Sequence, residues 1–168
     1  ADLFARSGAG YVTLTSKHHD GFCLWPSSHS WNWNSKDIGP HRDLVGELTE
    51  AVKAEGLRMG LYYSLMEWFR PLYLEEPERY AQEHMIPQLK DIINNYQPSL
   101  LFTDGEWSHP SKVWHSCDFL AWLFNQSPVK DEIVINDRWG ENTRSQHGGY
   151  YTTEYGEVGQ GKELADFH

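Results

Sequence analysis

The chain has 168 residues, and its 24 acidic side chains outnumber its 14 basic ones, which gives a formal net charge of -10. This charge argues against a nucleic-acid partner, because phosphate backbones are bound by clustered Lys and Arg. No apolar run approaches the roughly 20 residues that a membrane span needs, so we expect no membrane partner either.

Strand and helix signals alternate along the chain. β-rich apolar runs predict strands at residues 10–15, 57–62, 100–102 and 132–135, and apolar residues at helical spacing predict helices at residues 43–56, 77–95 and 117–125. Asp43 is the candidate N-cap of the first helix and Gly56 its C-terminal stop. Pro87 requires the second helix to begin near it or to bend there, because proline lacks the N–H of a helix interior.

Polar and aromatic side chains recur directly after the predicted strands, and residues 148–156 read as a further extended stretch. This distribution is typical of a parallel α/β sheet or barrel whose active site lies at the carboxyl ends of the strands. A complete barrel typically needs about 250 residues, so 168 residues are short for one. The first residue is not Met and the last residues carry no terminating signal, so we expect a piece truncated at both ends.

Asp104 stands at the end of the buried strand 100–102 and is the leading candidate for a reactive carboxylate. Gly105 permits an unusual backbone angle, Glu106 adds a second acid, and Trp107 offers a flat face on which a sugar ring can stack. The segment therefore favours carbohydrate chemistry. An ordinary strand end followed by a solvated acidic turn is the alternative.

His18 and His19 follow the first strand and precede Asp20. They are candidates for hydrogen bonds to a ligand, for metal ligands or for a solvated turn. Adjacent residues rarely complete a metal shell, and no other ligand group has recognisable spacing. Sugar hydroxyl groups fit better, because imidazole nitrogens can donate or accept.

Hydrolysis of a glycosidic bond needs two carboxyl groups, one that attacks the anomeric carbon and one that protonates the leaving oxygen. Asp104 is the candidate nucleophile and Glu154 the candidate acid/base, with Arg138 available to stabilise charge or to hold a hydroxyl group. Proximity to a second charge and burial would raise the pKa of Glu154 for this role.

Several motifs occur together and in order: residues 17–22 (KHHDGF), 60–64 (GLYYS), 103–107 (TDGEW), 136–140 (NDRWG) and 153–155 (TEY). With them the chain resembles the retaining α-L-fucosidases of glycoside hydrolase family 29. Residues 31–37 (WNWNSKD) and 127–132 (SPVKDE) resemble the animal, lysosomal type of that family.

The resemblance implies roles for individual residues. Asp104 matches the nucleophile, and Glu154 matches the acid/base of bacterial members, with Glu157, Glu106 and Asp137 as rivals. The implied substrate-binding residues are His18, His19, Tyr62, Trp25, Glu67, Trp68, Trp107 and Arg138. The family implies neither a metal nor an organic cofactor.

The resemblance also implies the fold and the activity. Residues 1–168 would be part of a glycoside hydrolase catalytic domain, about half of a (β/α)8 TIM-like barrel, without the C-terminal β-sandwich of the family. The activity would be removal of terminal α-L-fucose from glycoproteins and glycolipids through a covalent fucosyl-enzyme. A fragment that binds fucose but is catalytically incomplete is the alternative, since the isolated piece lacks part of the barrel.

Location and assembly follow only from the resemblance. It implies a lysosomal or secreted protein, and it leaves a homo-oligomer of the full-length protein open. Asn125 begins an acceptor triplet for N-glycosylation, which is relevant only in a secretory context.

Overall fold

The computed structural model describes residues 1–153 and shows an α/β fold built on a parallel four-stranded sheet. The strands are β1 (Tyr11–Lys17), β2 (Arg58–Ser64), β3 (Leu100–Asp104) and β4 (Val134–Ile135), and they lie in the order β1-β2-β3-β4. No helix among these residues is long and apolar enough to cross a bilayer.

Helices connect the strands. They are α1 (Asp2–Arg6), α2 (Leu44–Ala54), α3 (Pro71–Glu75), α4 (Pro77–Tyr80), α5 (Ile86–Tyr96) and α6 (Ser116–Asn125). The predicted N-cap is confirmed, because the Asp43 side chain accepts from the Gly46 N–H at the start of α2. Gly56 follows the end of α2 with a φ of 73°, which suits a glycine C-terminal stop.

Pro87 lies in the first turn of α5, which begins at Ile86, so the prediction that a helix begins near Pro87 is confirmed. A π-helical turn at Ala81–Met85 joins α4 to α5, so helical structure runs from residue 77 to residue 96. Proline cannot donate the hydrogen bond of an α-helix interior, and the turn just before it is wider than an α-turn. π-Turns are often found at functional sites, and this one contains His84.

The two faces of the sheet differ. One face contributes to a buried apolar cluster with the helices, which includes Met59, Leu61, Leu101, Val52, Leu89 and Phe119. The opposite face lines an open hollow and carries Thr13, Thr15, Tyr62, Leu100 and Phe102. All strands are parallel, so their carboxyl ends meet at one edge of the sheet.

The Asp43 cap provides a test of how α2 is held. Its other carboxylate oxygen accepts from the Tyr96 hydroxyl at 2.9 Å, so Asp43→Ala removes a cap and a link to α5. We expect the free energy of unfolding in urea to fall by about 1–2 kcal/mol. Glu50→Ala, an exposed change on the same helix, should stay within about 0.5 kcal/mol, and equal effects of the two variants would contradict the role of the cap.

Candidate active site

The site lies where β2 and β3 end. Their register pairs Tyr62 with Phe102 and Ser64 with Asp104, so these side chains project from the same face of the sheet. The Tyr62 and Phe102 rings stack at 5.7 Å between centroids. Asp104 is therefore the last residue of β3, and the pairing of β3 with β2 fixes its position.

The Asp104 carboxylate is buried and receives strong donors on both oxygens. Tyr62 donates to Oδ2 at 2.7 Å, and Arg138 donates from Nη1 to Oδ1 at 2.6 Å. Burial alone would raise the pKa of Asp104, but these hydrogen bonds, the charge of Arg138 and the Gly105 N–H together lower it below its usual value. Asp104 is thus held as an anion near neutral pH.

His18 and His19 lie beside this carboxylate. The pairing of β1 with β2 shifts between Thr15 and Lys17, as in a β-bulge, which redirects the residues that follow. His18 is exposed and stacks on Tyr62 at 5.5 Å. His19 is buried, and its Nε2 lies 3.9 Å from Asp104 Oδ2.

His19 is neutral in this arrangement. Burial lowers its pKa most, His18 lowers it further, and the opposing effect of the Asp104 charge is smaller. The proximity to Asp104 is therefore a contact between a neutral imidazole and a carboxylate, and we do not regard it as an ion pair.

Arg138 reaches Asp104 from the loop after β4. Its Nε donates to Thr152 Oγ1 at 2.7 Å, and its guanidinium carbon lies 5.3 Å from the centre of the Phe102 ring. The Asn136 side chain supports this loop, because it accepts from the Thr103 N–H and donates to the Thr103 carbonyl. Asn136 thereby replaces strand pairing beyond the end of β4.

Two indole rings border the site. Trp68 and Trp107 are 52% and 50% exposed, and both pack against the His19 ring with centroids 5.3 and 5.4 Å away. Both therefore combine contact with the site and an open surface, as stacking on a sugar ring requires.

The prediction that Trp25 binds substrate is wrong. Trp25 is fully buried in the apolar cluster, and its indole N–H donates to Asp91 of α5 at 3.1 Å. It packs in the core and has no exposed surface on which a sugar could stack.

The prediction that Glu67 binds substrate is wrong as well. Glu67 is 3% exposed, and its Oε1 bonds Lys17 at 2.8 Å and His84 at 2.9 Å. Its Oε2 accepts from Arg70 at 2.6 Å. Glu67 is the centre of a buried charge cluster of four side chains, which we call the Glu67 cluster: Lys17, Glu67, Arg70 and His84.

The Glu67 cluster ties together the segments that carry the site. Lys17 directly precedes the histidine pair, while Trp68 directly follows Glu67 and donates its N–H to the His19 carbonyl at 2.7 Å. Burial alone would raise the pKa of Glu67. The neighbouring groups, Lys17 foremost, outweigh burial and hold this pKa well below its usual range.

The acid/base candidates have different outcomes. Glu154 and Glu157 lie outside the described residues. Asp137 is fully buried, and its oxygens accept from the Ser145 N–H and from the N–H and hydroxyl of Thr152. It organises the loop that presents Arg138.

Glu106 is also enclosed. It is 1% exposed, and its Oε1 accepts from Arg144 Nε at 2.9 Å. Burial raises the pKa of Glu106 despite the opposing charge of Arg144. Glu106 therefore has the raised pKa of a proton donor, but its carboxyl group is closed off from solvent.

Asn125 is exposed at the C-terminal end of α6, and its side chain donates to the Ala121 carbonyl. Ser127 of the same triplet is buried, and its hydroxyl donates to the Leu123 carbonyl.

Sequence analysis assigned no role to Ser64, His84 or Arg70. Ser64 Oγ lies 2.7 Å from His19 Nδ1, and its strand position next to Asp104 follows only once the register is known. The spacing of Glu67 and Arg70 fits a local ion pair. No sequence signal connects His84 to Glu67 across 17 residues.

The known proteins that are similar to this chain include alpha-L-fucosidases. The profile of the alpha-L-fucosidase family matches residues 1–165. The tissue alpha-L-fucosidases of Rattus norvegicus and Homo sapiens are each 56% identical to the chain over 160 residues, which is 92% of this chain and 35% and 34% of theirs. A Thermotoga maritima alpha-fucosidase solved in complex with fucose superposes with a TM-score of 0.71 at 35% identity, over 90% of this chain and 36% of that one.

The fold and the site define an α/β protein in which an anionic carboxylate at a strand end is surrounded by tyrosine, arginine and histidine side chains. Because the family profile matches nearly the whole chain, the chain belongs to the alpha-L-fucosidase family. It spans about a third of the length of the curated relatives it matches.

The Glu67 cluster provides a stability test. Glu67→Gln leaves Lys17 buried without its counter-charge, and we expect the free energy of unfolding to fall by roughly 3–5 kcal/mol in denaturant titrations. Glu83→Gln is a matched control, because its pair with Arg79 is exposed and such pairs contribute about 0–1 kcal/mol.

The difference in unfolding free energy between wild type and Glu67→Gln should depend on pH. Because the pKa of Glu67 is lower in the folded than in the unfolded state, its contribution is present above the unfolded-state pKa and is lost as pH falls toward the folded-state pKa. The difference between wild type and Glu67→Gln should be complete above about pH 5 and should shrink below about pH 4. A difference that grows on acidification would contradict this account.

The hydrogen bond from Tyr62 provides a test of Asp104. Tyr62→Phe removes a donor that favours the carboxylate, so the pKa of Asp104 should rise, as measured by carboxyl 13C NMR titration. Tyr63→Phe is the matched control, because the Tyr63 hydroxyl donates to Gln88 in the core. An equal rise in both variants, or none in Tyr62→Phe, would show that Tyr62 does not set this pKa.

Proposed function

We propose that the chain is part of the catalytic domain of a retaining exo-α-L-fucosidase. The observation that carries the proposal is the Asp104 carboxylate, held as an anion by Tyr62 and Arg138 at a strand end, with His18 and His19 beside it. The relatives named tissue alpha-L-fucosidase and the neighbour solved with fucose support the substrate class.

Asp104 acts as the nucleophile in this proposal. Its lowered pKa keeps it ionised. It attacks the anomeric carbon of an α-L-fucoside to form a covalent fucosyl-enzyme, while the bond to the glycosidic oxygen breaks and the acid/base protonates that leaving oxygen. Water then hydrolyses the intermediate with the configuration retained. Tyr62 and Arg138 position the carboxylate during attack. They stabilise its negative charge again when the sugar leaves Asp104.

The remaining side chains bind the sugar. His18 and His19 contact hydroxyl groups, and the exposed faces of Trp68 and Trp107 hold the apolar side of the ring. Glu154 is the proposed acid/base, with Glu157 as its rival, since both follow the loop that carries Arg138.

The proposed domain is part of a (β/α)8 TIM-like barrel, about half of one, in which the face with Tyr62 and Phe102 is the interior. The parallel order of the four strands, the helices on one face and the site at the carboxyl ends support this. Residues 1–168 would be one piece of that domain.

Fucosylated glycans of glycoproteins and glycolipids are the proposed substrates. The names of the relatives, tissue and plasma alpha-L-fucosidases, support a lysosomal or secreted enzyme.

Removal of the nucleophile tests the proposal. In the full-length enzyme, Asp104→Gly should reduce kcat for an aryl α-L-fucoside by at least about a thousandfold, because the covalent step is lost. Azide should restore turnover as fucosyl azide. Asp118→Gly, which removes an exposed carboxylate on α6, should retain activity.

Two results would contradict the proposal. Unimpaired hydrolysis by Asp104→Gly would remove Asp104 from the mechanism. Binding of fucose by the wild-type enzyme without hydrolysis of any fucoside would favour a sugar-binding protein instead.

A further inference from the structure

Ser64 occupies the last position of β2, between His19 and a backbone carbonyl. It is fully buried. Its Oγ lies 2.7 Å from His19 Nδ1 and 2.8 Å from the carbonyl oxygen of Met66. Both distances are those of hydrogen bonds.

The number of available protons decides the direction of these bonds. A serine hydroxyl has one proton, and a carbonyl oxygen can only accept. The Ser64 proton therefore goes to Met66, and Ser64 Oγ has only lone pairs for His19. His19 must then donate from Nδ1. A neutral imidazole carries one proton, so Nε2 has none.

We propose that Ser64 is a positioning residue that fixes His19 as the Nδ1–H tautomer, so that Nε2 accepts a hydrogen bond from a substrate hydroxyl group beside Asp104. This inference rests on the proposed function for the identity of the ligand. Nε2 lies 3.9 Å from Asp104 Oδ2, which puts the acceptor next to the nucleophile.

The opposite tautomer would change the chemistry of the site. An Nε2–H would direct a donor at Asp104, whose oxygens already accept from Tyr62 and Arg138. Another donor would stabilise the anion further and make it a weaker nucleophile. The acceptor for the sugar hydroxyl would be lost at the same time.

The surroundings keep the ring neutral, as the proposal requires. The charged and titratable groups that act on His19 are His18, Lys17 and Asp20 at the end of β1, and Asp104 on β3. Burial together with His18 outweighs the two acids, so the pKa of His19 is lowered.

The local packing also holds the ring in place. Trp68 and Trp107 contact the His19 ring from two directions, at interplanar angles of 55° and 88°. A Cβ at position 105 would lie 2.8 Å from Met66 Cγ and 3.2 Å from Ser64 Oγ. Glycine at 105, with a φ of 75°, therefore lets the backbone close over this hydrogen bond.

The tautomer can be observed directly. In the full-length enzyme labelled with 15N-histidine, the His19 signals are assigned by their absence from His19→Asn. We expect wild type to show a protonated Nδ1 and an unprotonated Nε2, and added L-fucose to shift the Nε2 signal. In Ser64→Ala the fraction with a protonated Nε2 should increase.

Kinetics tests the consequence for the substrate. Ser64→Ala should lower kcat/KM for an aryl α-L-fucoside about tenfold or more. The His19 Nδ1–H loses its acceptor in this variant, so Nε2 is no longer held unprotonated to accept from the substrate. The loss should fall below about threefold with the one deoxyfucoside that lacks the hydroxyl group bound by His19. A panel lacking each ring hydroxyl in turn identifies that substrate.

Ser16→Ala is the matched control. Ser16 is also a fully buried serine at a strand end, and its hydroxyl donates to the Tyr62 carbonyl at 2.7 Å. It does not contact His19 through that bond. Ser16→Ala should therefore leave the His19 tautomer unchanged, and any loss of kcat/KM should be the same for every substrate in the panel.

Two results would overturn the inference: a protonated Nε2 in neutral wild-type His19, or a loss in Ser64→Ala that is equal for all substrates. The wild-type spectrum decides the first even if Ser64→Ala does not fold. If wild type hydrolyses no fucoside, the proposed function fails, and the spectra with and without L-fucose still decide the role of Ser64.

Discussion

The structure around the site depends on one buried carboxylate that must stay charged. Asp104 lies among groups that leave it little contact with water, and burial alone would favour its protonated form. Tyr62 and Arg138 reverse that preference, and each comes from a different strand or loop. The relative positions of β2, β3 and the loop after β4 therefore have to be held accurately for the carboxylate to remain ionised.

Two sets of interactions provide that accuracy. The parallel register fixes Tyr62 and Asp104 on the same face of the sheet. Below the histidine pair, the Glu67 cluster connects β1, the loop after β2 and the π-helical turn. Removing one member of such a buried cluster leaves an uncompensated charge. The cluster therefore keeps these three segments in a single arrangement.

The sequence predicted the order of elements and Asp104 at a strand end, because strands and polar exits leave a clear local pattern. It could not separate Trp25 from Trp68. Both are Trp in loops, and only the tertiary fold decides which is buried. The prediction that Glu67 binds substrate failed for the same reason, since its partner Lys17 lies 50 residues away in the sequence. Ser64 was not assigned a role because its importance depends on proton directions that only three-dimensional contacts define.

Asn136 shows how a sheet of this kind ends. β4 has only two residues, and the Asn136 side-chain amide then pairs with both the N–H and the carbonyl of Thr103. The amide thus imitates one peptide unit and satisfies the neighbouring strand while the main chain turns away. The end of β3 is therefore completed by a side chain, which leaves the main chain after residue 136 available to form the loop that carries Arg138.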